Sequence, residues 1–307
     1  MTPTALATEA GPAQIDPLAP APRGMWFGHG VRVSRRRGPH RPHTDSDSVC
    51  TRRFCVGRRG DLLMVEHDLT SDELSDQLAP LLADELADRG LLRGQRDFEL
   101  VFTGIIRSTI DGGLPAFTRF YRNSMASLEA GIAPFAPVHE HAEQLLQGTS
   151  LIDLGSCFGF FPLRVASRGI DVVATDLSAP TMKLLAAVSK RMHRPLRTLC
   201  CDAAQVPLPD RYADTVTVLH LLEHLNPVTA DAVIGQALRL ARRRVVIAVP
   251  FEDEPRVCYG HVQRFDPTVL DSIAARITNA NETVRARVEE YHGGWLILDR
   301  KRPAPLR

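Results

Sequence analysis

The stretch Asp153-Leu154-Gly155-Ser156-Cys157-Phe158-Gly159 lies between a short apolar run and an apolar segment of helical character. A strand that ends in a glycine-bearing turn before a helix lets a ligand approach the backbone closely. Asp176 ends the next apolar run, 21 residues after Gly155. An acid at that place accepts hydrogen bonds from both hydroxyls of a ribose. Together these residues predict a site for a nucleoside-containing cofactor. The loop spacing is G-x-x-x-G, not the G-x-G-x-x-G that seats a pyrophosphate on a helix N-terminus. Asp153 stands ahead of the first glycine, and its carboxylate repels a pyrophosphate. It suits a cofactor with cationic groups. S-adenosylmethionine carries a sulfonium and an ammonium, so the charge favours it over NAD.

The elements that must position these residues follow from periodicity. Short runs rich in Val, Ile and Leu occur at 150–154, 171–175, 196–200, 214–219, 245–249, 284–290 and 295–300. Amphipathic segments such as 179–192 and 229–241 separate them. This alternation predicts a parallel, doubly wound α/β sheet with helices on both faces. Only Tyr291-His292-Gly293-Gly294 joins the last two runs. That is too short for a parallel crossover, so the chain should end in an antiparallel hairpin. Upstream, a helix is expected from the Thr70-Ser71-Asp72-Glu73 cap through Leu86, another over 95–110 and a third over 116–128. These precede every expected strand and read as an N-terminal helical cap. The expected divisions are a tail over 1–65, the cap over 66–137 and the α/β domain over 138–307.

Residues 1–48 hold seven prolines and show no period of 2 or 3.6. They read as disordered, because such a composition buries too little surface to offset the entropy of ordering. Met25 and Met64 both offer alternative starts, and a chain beginning at Met64 is expected to keep the domain. Residues 1–60 carry ten Arg against four acids, yet the whole chain is at +1. Only 3 of the 37 basic residues are Lys, so the Arg excess reads as coding bias. Without interleaved aromatics the arm does not read as a nucleic-acid binder. No apolar run approaches the roughly 18 residues of a membrane helix. The six cysteines lack a disulfide-scaffold or paired C-x-x-C pattern, which fits a reducing cytoplasm and no structural zinc.

Residues 138–300 resemble a class I S-adenosylmethionine-dependent methyltransferase. The resemblance is carried by the Asp153–Gly159 loop, by Asp176, by Cys201-Asp202-Ala203, by DTVTVLHLLEHL over 214–225, and by Val249-Pro250 with Gly260-His261-Val262 and Phe265. It implies a seven-stranded Rossmann-like sheet with an S-adenosyl-L-methionine site. Asp153, Gly155, Ser156 and Gly159 would surround the methionine part. Asp176 and Leu177 would meet the ribose, Asp202 and Ala203 the adenine, and Leu219 the reacting methyl. Tyr121, on the last cap helix beside Arg119 and Arg122, would fold over the cofactor carboxylate. The family commonly has Gly where this chain has Cys157, which narrows the turn. From Asp97 onward, with Phe120-Tyr121-Arg122-Asn123-Ser124, the chain is also similar to the mycofactocin oligosaccharide methyltransferases. That likeness implies O-methylation of a glucose in an oligosaccharide substrate. A quinol, phenol or carboxylate acceptor, or a binding module without turnover, are the alternatives.

A sugar hydroxyl is a poor nucleophile and wants a base within hydrogen-bond reach. His261, His224 and His220 sit on expected loops at the cofactor face, and all three are candidates. His220-x-x-Glu223-His224 also raises a metal reading. Interleaved with Leu219, Leu221, Leu222 and Leu225, however, the trio reads as a strand end and helix start, and no metal is expected. The sequence sets no oligomeric state.

Overall fold

The computed structural model describes residues 14–36 and 48–301. The α/β half is a seven-stranded sheet built from β6 (Ser150–Leu154), β7 (Asp171–Asp176), β8 (Arg197–Cys200), β9 (Ala213–Leu219), β10 (Ala241–Val249), β11 (Val284–Glu290) and β12 (Gly294–Arg300). Their spatial order is β11-β12-β10-β9-β6-β7-β8. The pairs among β6 to β10 are parallel, and β12 runs antiparallel to both β10 and β11. The sequence-predicted doubly wound sheet and terminal hairpin are both present. Helices α5 (Phe160–Ala166), α6 (Ala179–Arg191), α7 (Pro227–Leu240) and α8 (Pro267–Ala280) connect the strands. Strand order reverses at β6 and β9, so the ends of these two strands open the crevice where open α/β sheets bind ligands.

The N-terminal half corrects the expected tail. Strands β1 (Met25–Gly28), β2 (Val31–Arg35), β3 (Ser48–Cys50), β4 (Phe54–Arg59) and β5 (Leu62–His67) form a second sheet in the order β1-β2-β5-β4-β3. It consists of hairpins joined by the parallel pair β2–β5. Its inward side chains alternate as a half-buried strand requires: Val31 and Val33, then Leu63, Val65 and His67, are buried. The β1–β2 turn places His29 at φ 49° and Gly30 at φ 77°, the left-handed pair that matches the twist of a two-residue hairpin. Residues 1–13 and 37–47 of the expected tail lie outside the described residues. A second correction concerns the cysteines. The β3–β4 register sets Cys50 directly opposite Cys55, and the two form a disulfide.

The cap is therefore a sheet plus helices: α1 (Leu78–Leu82), α2 (Gly94–Thr109), α3 (Gly113–Glu129) and α4 (Ala136–Gln144). The helix expected from Thr70 is a single 3-10 turn over Ser71–Glu73, and α1 starts only at Leu78. Asn123 explains the break. Its side-chain amide donates to the carbonyls of Ser71 and Leu74, both at 2.9 Å, which removes them from a helical ladder. Helix α2 is buried on nearly every side, from Phe98 to Ser108. Gly104 lets it lie on the small sheet, since a Cβ there would stand 2.3 Å from Val33 Cγ2. One continuous core runs from Trp26, Val33 and Phe54 through Ile105 and Phe117 to Leu163 and Leu185 of the large sheet's helices. The expected 137/138 boundary falls inside α4.

Candidate functional site

The Asp153–Gly159 loop leaves β6 and turns into α5. Gly155 and Gly159 are left-handed, with φ 71° and 70°, and a side chain at either would strike a neighbour. A Cβ on Gly155 would stand 2.7 Å from Leu221, and one on Gly159 2.4 Å from Leu185. Cys157 is also left-handed, at φ 48°, the region that favours glycine. The Gly155 contact brings the exit of β9 against the loop.

Asp176, at the end of β7, joins three segments. Its Oδ2 accepts from the Cys157 N–H at 2.9 Å and its Oδ1 from the Ser178 N–H at 2.9 Å. Its carbonyl accepts from the Cys201 N–H at 3.0 Å, which places the Asp202–Ala203 turn beside it. Asp202 is exposed, and its Oδ1 accepts from the Ala204 N–H. Leu177 projects outward, 69% exposed. Ser156 donates its N–H to the Thr175 carbonyl at 2.7 Å, which seals the loop onto β7. Leu219 pairs with Ala248 at the ends of β9 and β10.

Asp153 sits beneath the loop. It is buried, and its Oδ1 accepts from Thr217 Oγ1 at 2.6 Å. Burial pushes its carboxyl up to about 6. Tyr121 is fully buried against Phe158 and Phe160, and its hydroxyl has no hydrogen-bond partner. Burial raises its pKa, and Cys157 and Asp176 lie close enough to add to the shift. A buried hydroxyl without a partner is costly, and a polar ligand group beside it removes the cost. Arg119 pairs with Asp72 rather than with the loop, and Arg122 is exposed.

The three candidate histidines flank or follow Leu221 and separate into roles. His220, at φ 52°, donates through Nδ1 to Glu223 Oε1 at 3.1 Å and packs its ring against Phe135. His224 and His261 face each other edge to face at 4.9 Å. Burial lowers the His224 pKa. His261 donates through Nδ1 to Glu252 Oε2 at 2.8 Å. The loop carrying His261 is tied to the β9 exit, where the Glu223 carbonyl accepts from the Val262 N–H at 2.8 Å and the Leu222 carbonyl from Gln263 Nε2 at 2.7 Å. Glu252 is the residue that sequence reasoning missed. It lies in an acidic loop run, and nothing in its spacing marks the pairing with His261. Sequence reasoning also joined His220 to His224, whereas the fold joins His224 to His261.

Residues 152–249 match the family model described as a methyltransferase domain. That segment is similar to a methyltransferase domain. The glycine turns and the unpartnered Tyr121 hydroxyl fit the S-adenosylmethionine expected from the sequence. A demethylmenaquinone methyltransferase of Beutenbergia cavernae is 26% identical over 150 residues. The match covers 48% of this chain and 60% of that protein, so the chain spans less than two thirds of the relative's length. Similar solved structures include an S-adenosylmethionine-dependent methyltransferase from Aquifex aeolicus, at 15% identity and a TM-score of 0.42 over 58% of this chain and 97% of that one. The magnesium protoporphyrin IX methyltransferase of Synechocystis PCC 6803 is 17% identical, with a TM-score of 0.42 over 61% of this chain and 84% of that one. Among the described residues no helix is long and apolar enough to cross a membrane.

Proposed function

We propose that this chain is an S-adenosylmethionine-dependent O-methyltransferase acting on a small-molecule hydroxyl. The observation that carries the reading is the Gly155–Leu221 contact. It sets the cofactor loop beside the segment bearing Glu223, His224 and, across the loop tie, His261. The bound cofactor supplies an electrophilic methyl group. Gly155, Ser156 and Gly159 shape its seat, Asp176 holds the ribose hydroxyls, and Asp202 and Ala203 border the adenine. Asp153 sets the potential from beneath, and Tyr121 donates to a polar group of the cofactor. His261 and His224 face the acceptor and are the catalytic residues. His220 positions Glu223.

The finer reading of the acceptor is a glucose hydroxyl in the oligosaccharide chain of mycofactocin. It rests on the resemblance of the segment from Asp97 onward. An open cleft of about 260 Å³ lined by Glu252, Asp253, Arg264 and Asp266 beside Phe251 supports a sugar, which needs polar groups for its hydroxyls. A quinol is the second reading, favoured by the demethylmenaquinone methyltransferase relative. The test supplies the purified chain with methyl-labelled S-adenosylmethionine and either a glucose oligosaccharide or a reduced quinone. Label in the sugar product alone is the expected result. Label in the quinol alone selects the second reading, and cofactor binding with no label in any acceptor sinks both.

A further inference from the structure

Glu223, His224 and His261 place ligand atoms within 4.8 Å of one another. They come from two loops, so no sequence spacing announces the group. Glu223 is 1% exposed. Its Oε1 accepts from His220, but its Oε2 is buried with no hydrogen-bond partner. A buried carboxylate oxygen left unpaired is one of the costliest arrangements in a protein interior, and a cation beside it removes the cost. The two histidines contribute a second, independent feature. The His261 Nδ1–H donates to Glu252 Oε2 at 2.8 Å, which leaves Nε2 with its lone pair free. A carboxylate holding the far nitrogen of an imidazole is the usual support of a metal-ligating histidine, since it fixes the tautomer and raises ligand basicity.

We propose that Glu223, His224 and His261 form a binding site for a divalent transition-metal cation, with Glu252 and His220 as its supporting shell. Two imidazoles and one carboxylate favour zinc or a neighbouring first-row ion over magnesium, which prefers oxygen donors. Three protein ligands leave a coordination position open. This deepens the reading of the same cluster as the acceptor-activating site, and it rests on that reading only for its chemical purpose. An acceptor hydroxyl at the open position would lose its proton more readily, because the cation stabilises the developing alkoxide. The proton leaves to water, and the alkoxide oxygen then forms its bond to the methyl carbon as the carbon–sulfur bond breaks.

The test uses the full chain, stripped with chelator and dialysed, and titrates cobalt(II) alone with visible absorption as the readout. One cobalt per chain with a d–d band is expected, without the near-ultraviolet charge-transfer band of a thiolate ligand. Zinc should displace it. His261→Gln, Glu223→Gln and the exposed His224→Gln should each weaken cobalt binding at least 100-fold, while melting temperatures report whether each variant folds. Glu252→Gln should weaken it about 10- to 100-fold. His292→Ala, in the β11–β12 turn, should change nothing. Absence of the band in the wild type, or an unchanged band in folded His224→Gln and His261→Gln, overturns the metal site. Binding of S-adenosylmethionine, measured calorimetrically on the same stripped protein, separates the two readings. Retained cofactor binding and methyl transfer without cobalt binding leave the proposed activity standing and remove the metal. Cobalt binding by a chain that methylates neither acceptor does the reverse.

Discussion

The Cys157 N–H donates to Asp176 Oδ2 at 2.9 Å, so the turn after β6 and the end of β7 are held as one unit. Asp176 thus shapes the turn, and in the proposed function it also presents acceptors to a ribose. Hydrogen bonds to a charged group contribute about 1.5–3 kcal/mol each. Asp176→Ala should therefore weaken S-adenosylmethionine binding by one to a few orders of magnitude. Asp176→Asn keeps one acceptor for the turn and should lose less. Isothermal calorimetry on both variants, with melting curves to confirm folding, checks the assignment. Equal affinity in Asp176→Ala and the wild type would remove it.

A chain starting at Met64 should fail to fold cooperatively. It lacks β1 to β4 and the first residues of β5, so the face of α2 around Gly104 loses its cover. Val31, Val33, Phe54, Val56 and Leu63 are each no more than 4% exposed. Burying such side chains stabilises by about 1.5–3 kcal/mol apiece, as an upper estimate. Five of them together rival the whole stability of an ordinary domain, about 5–15 kcal/mol. Loss of the unfolding transition, or a melting temperature lowered by tens of degrees, is the expected result. A truncated chain that melts with the full one would restore the picture of a dispensable arm.

The large sheet was legible because its central strands, such as Ser150–Leu154 and Ala213–Leu219, are largely buried on both faces and read as apolar runs. The edge strand Val284–Glu290 is only partly buried and was legible through the short link to its hairpin partner. Val284–Glu290 and Ser150–Leu154 lie in the structure where the sequence predicts them. The small sheet was not, for a local reason. In β2 the period of 2 lasts only through Val31 and Val33, among arginines and near prolines. The β1–β2 turn is His29-Gly30 rather than the Asn-Gly that announces a hairpin. The cofactor loop could be read because its G-x-x-x-G spacing and Asp176 stand at the ends of two successive apolar runs, a pattern visible in the sequence itself. The Glu252–His261 pair joins two points on a polar loop, where only the folded chain selects one acid among Glu252, Asp253 and Glu254.

If His261 activates the acceptor as proposed, removing it should slow methyl transfer without loosening the cofactor. His261 contacts Glu252 and faces His224, and among the described residues no hydrogen bond joins its side chain to the Gly155–Gly159 turn. His261→Ala should lower kcat by about 10²–10⁴, with S-adenosylmethionine affinity within twofold of wild type. Glu252→Gln preserves an acceptor for the His261 ring and should cost about tenfold. His220→Ala acts only through Glu223 and should fall between the two. Single-turnover rates at saturating cofactor make the comparison. If all three variants transfer methyl at the wild-type rate, the enzyme works by positioning alone.

The small sheet should also make the protein sensitive to acid. His67 ends β5 with its side chain fully buried. Its Nδ1 accepts from the Leu69 N–H at 3.2 Å, so the neutral ring carries its proton on Nε2 and donates to Ser108 Oγ at 2.8 Å. Burial, reinforced by Arg35 and Arg36, lowers its pKa to about 3. Unfolded, the same histidine titrates near its ordinary value of about 6.5. Between these two values the unfolded chain holds the extra proton, so stability rises with pH. The contribution is complete above pH 6.5 and is lost as pH falls toward 3. The slope is about 1.36 kcal/mol per pH unit for one proton. His139, buried on α4 with its pKa also lowered to about 3 by burial, adds a second proton in the same window. Urea unfolding at several pH values from 4 to 6 should show His67→Gln with a slope smaller by one proton than the wild type. The variant starts from lower stability at pH 7, because it loses part of the hydrogen bonding to Leu69 and Ser108, but only the slope bears on titration. A slope unchanged by His67→Gln would mean that the ring is already protonated, or open to water, in the folded protein.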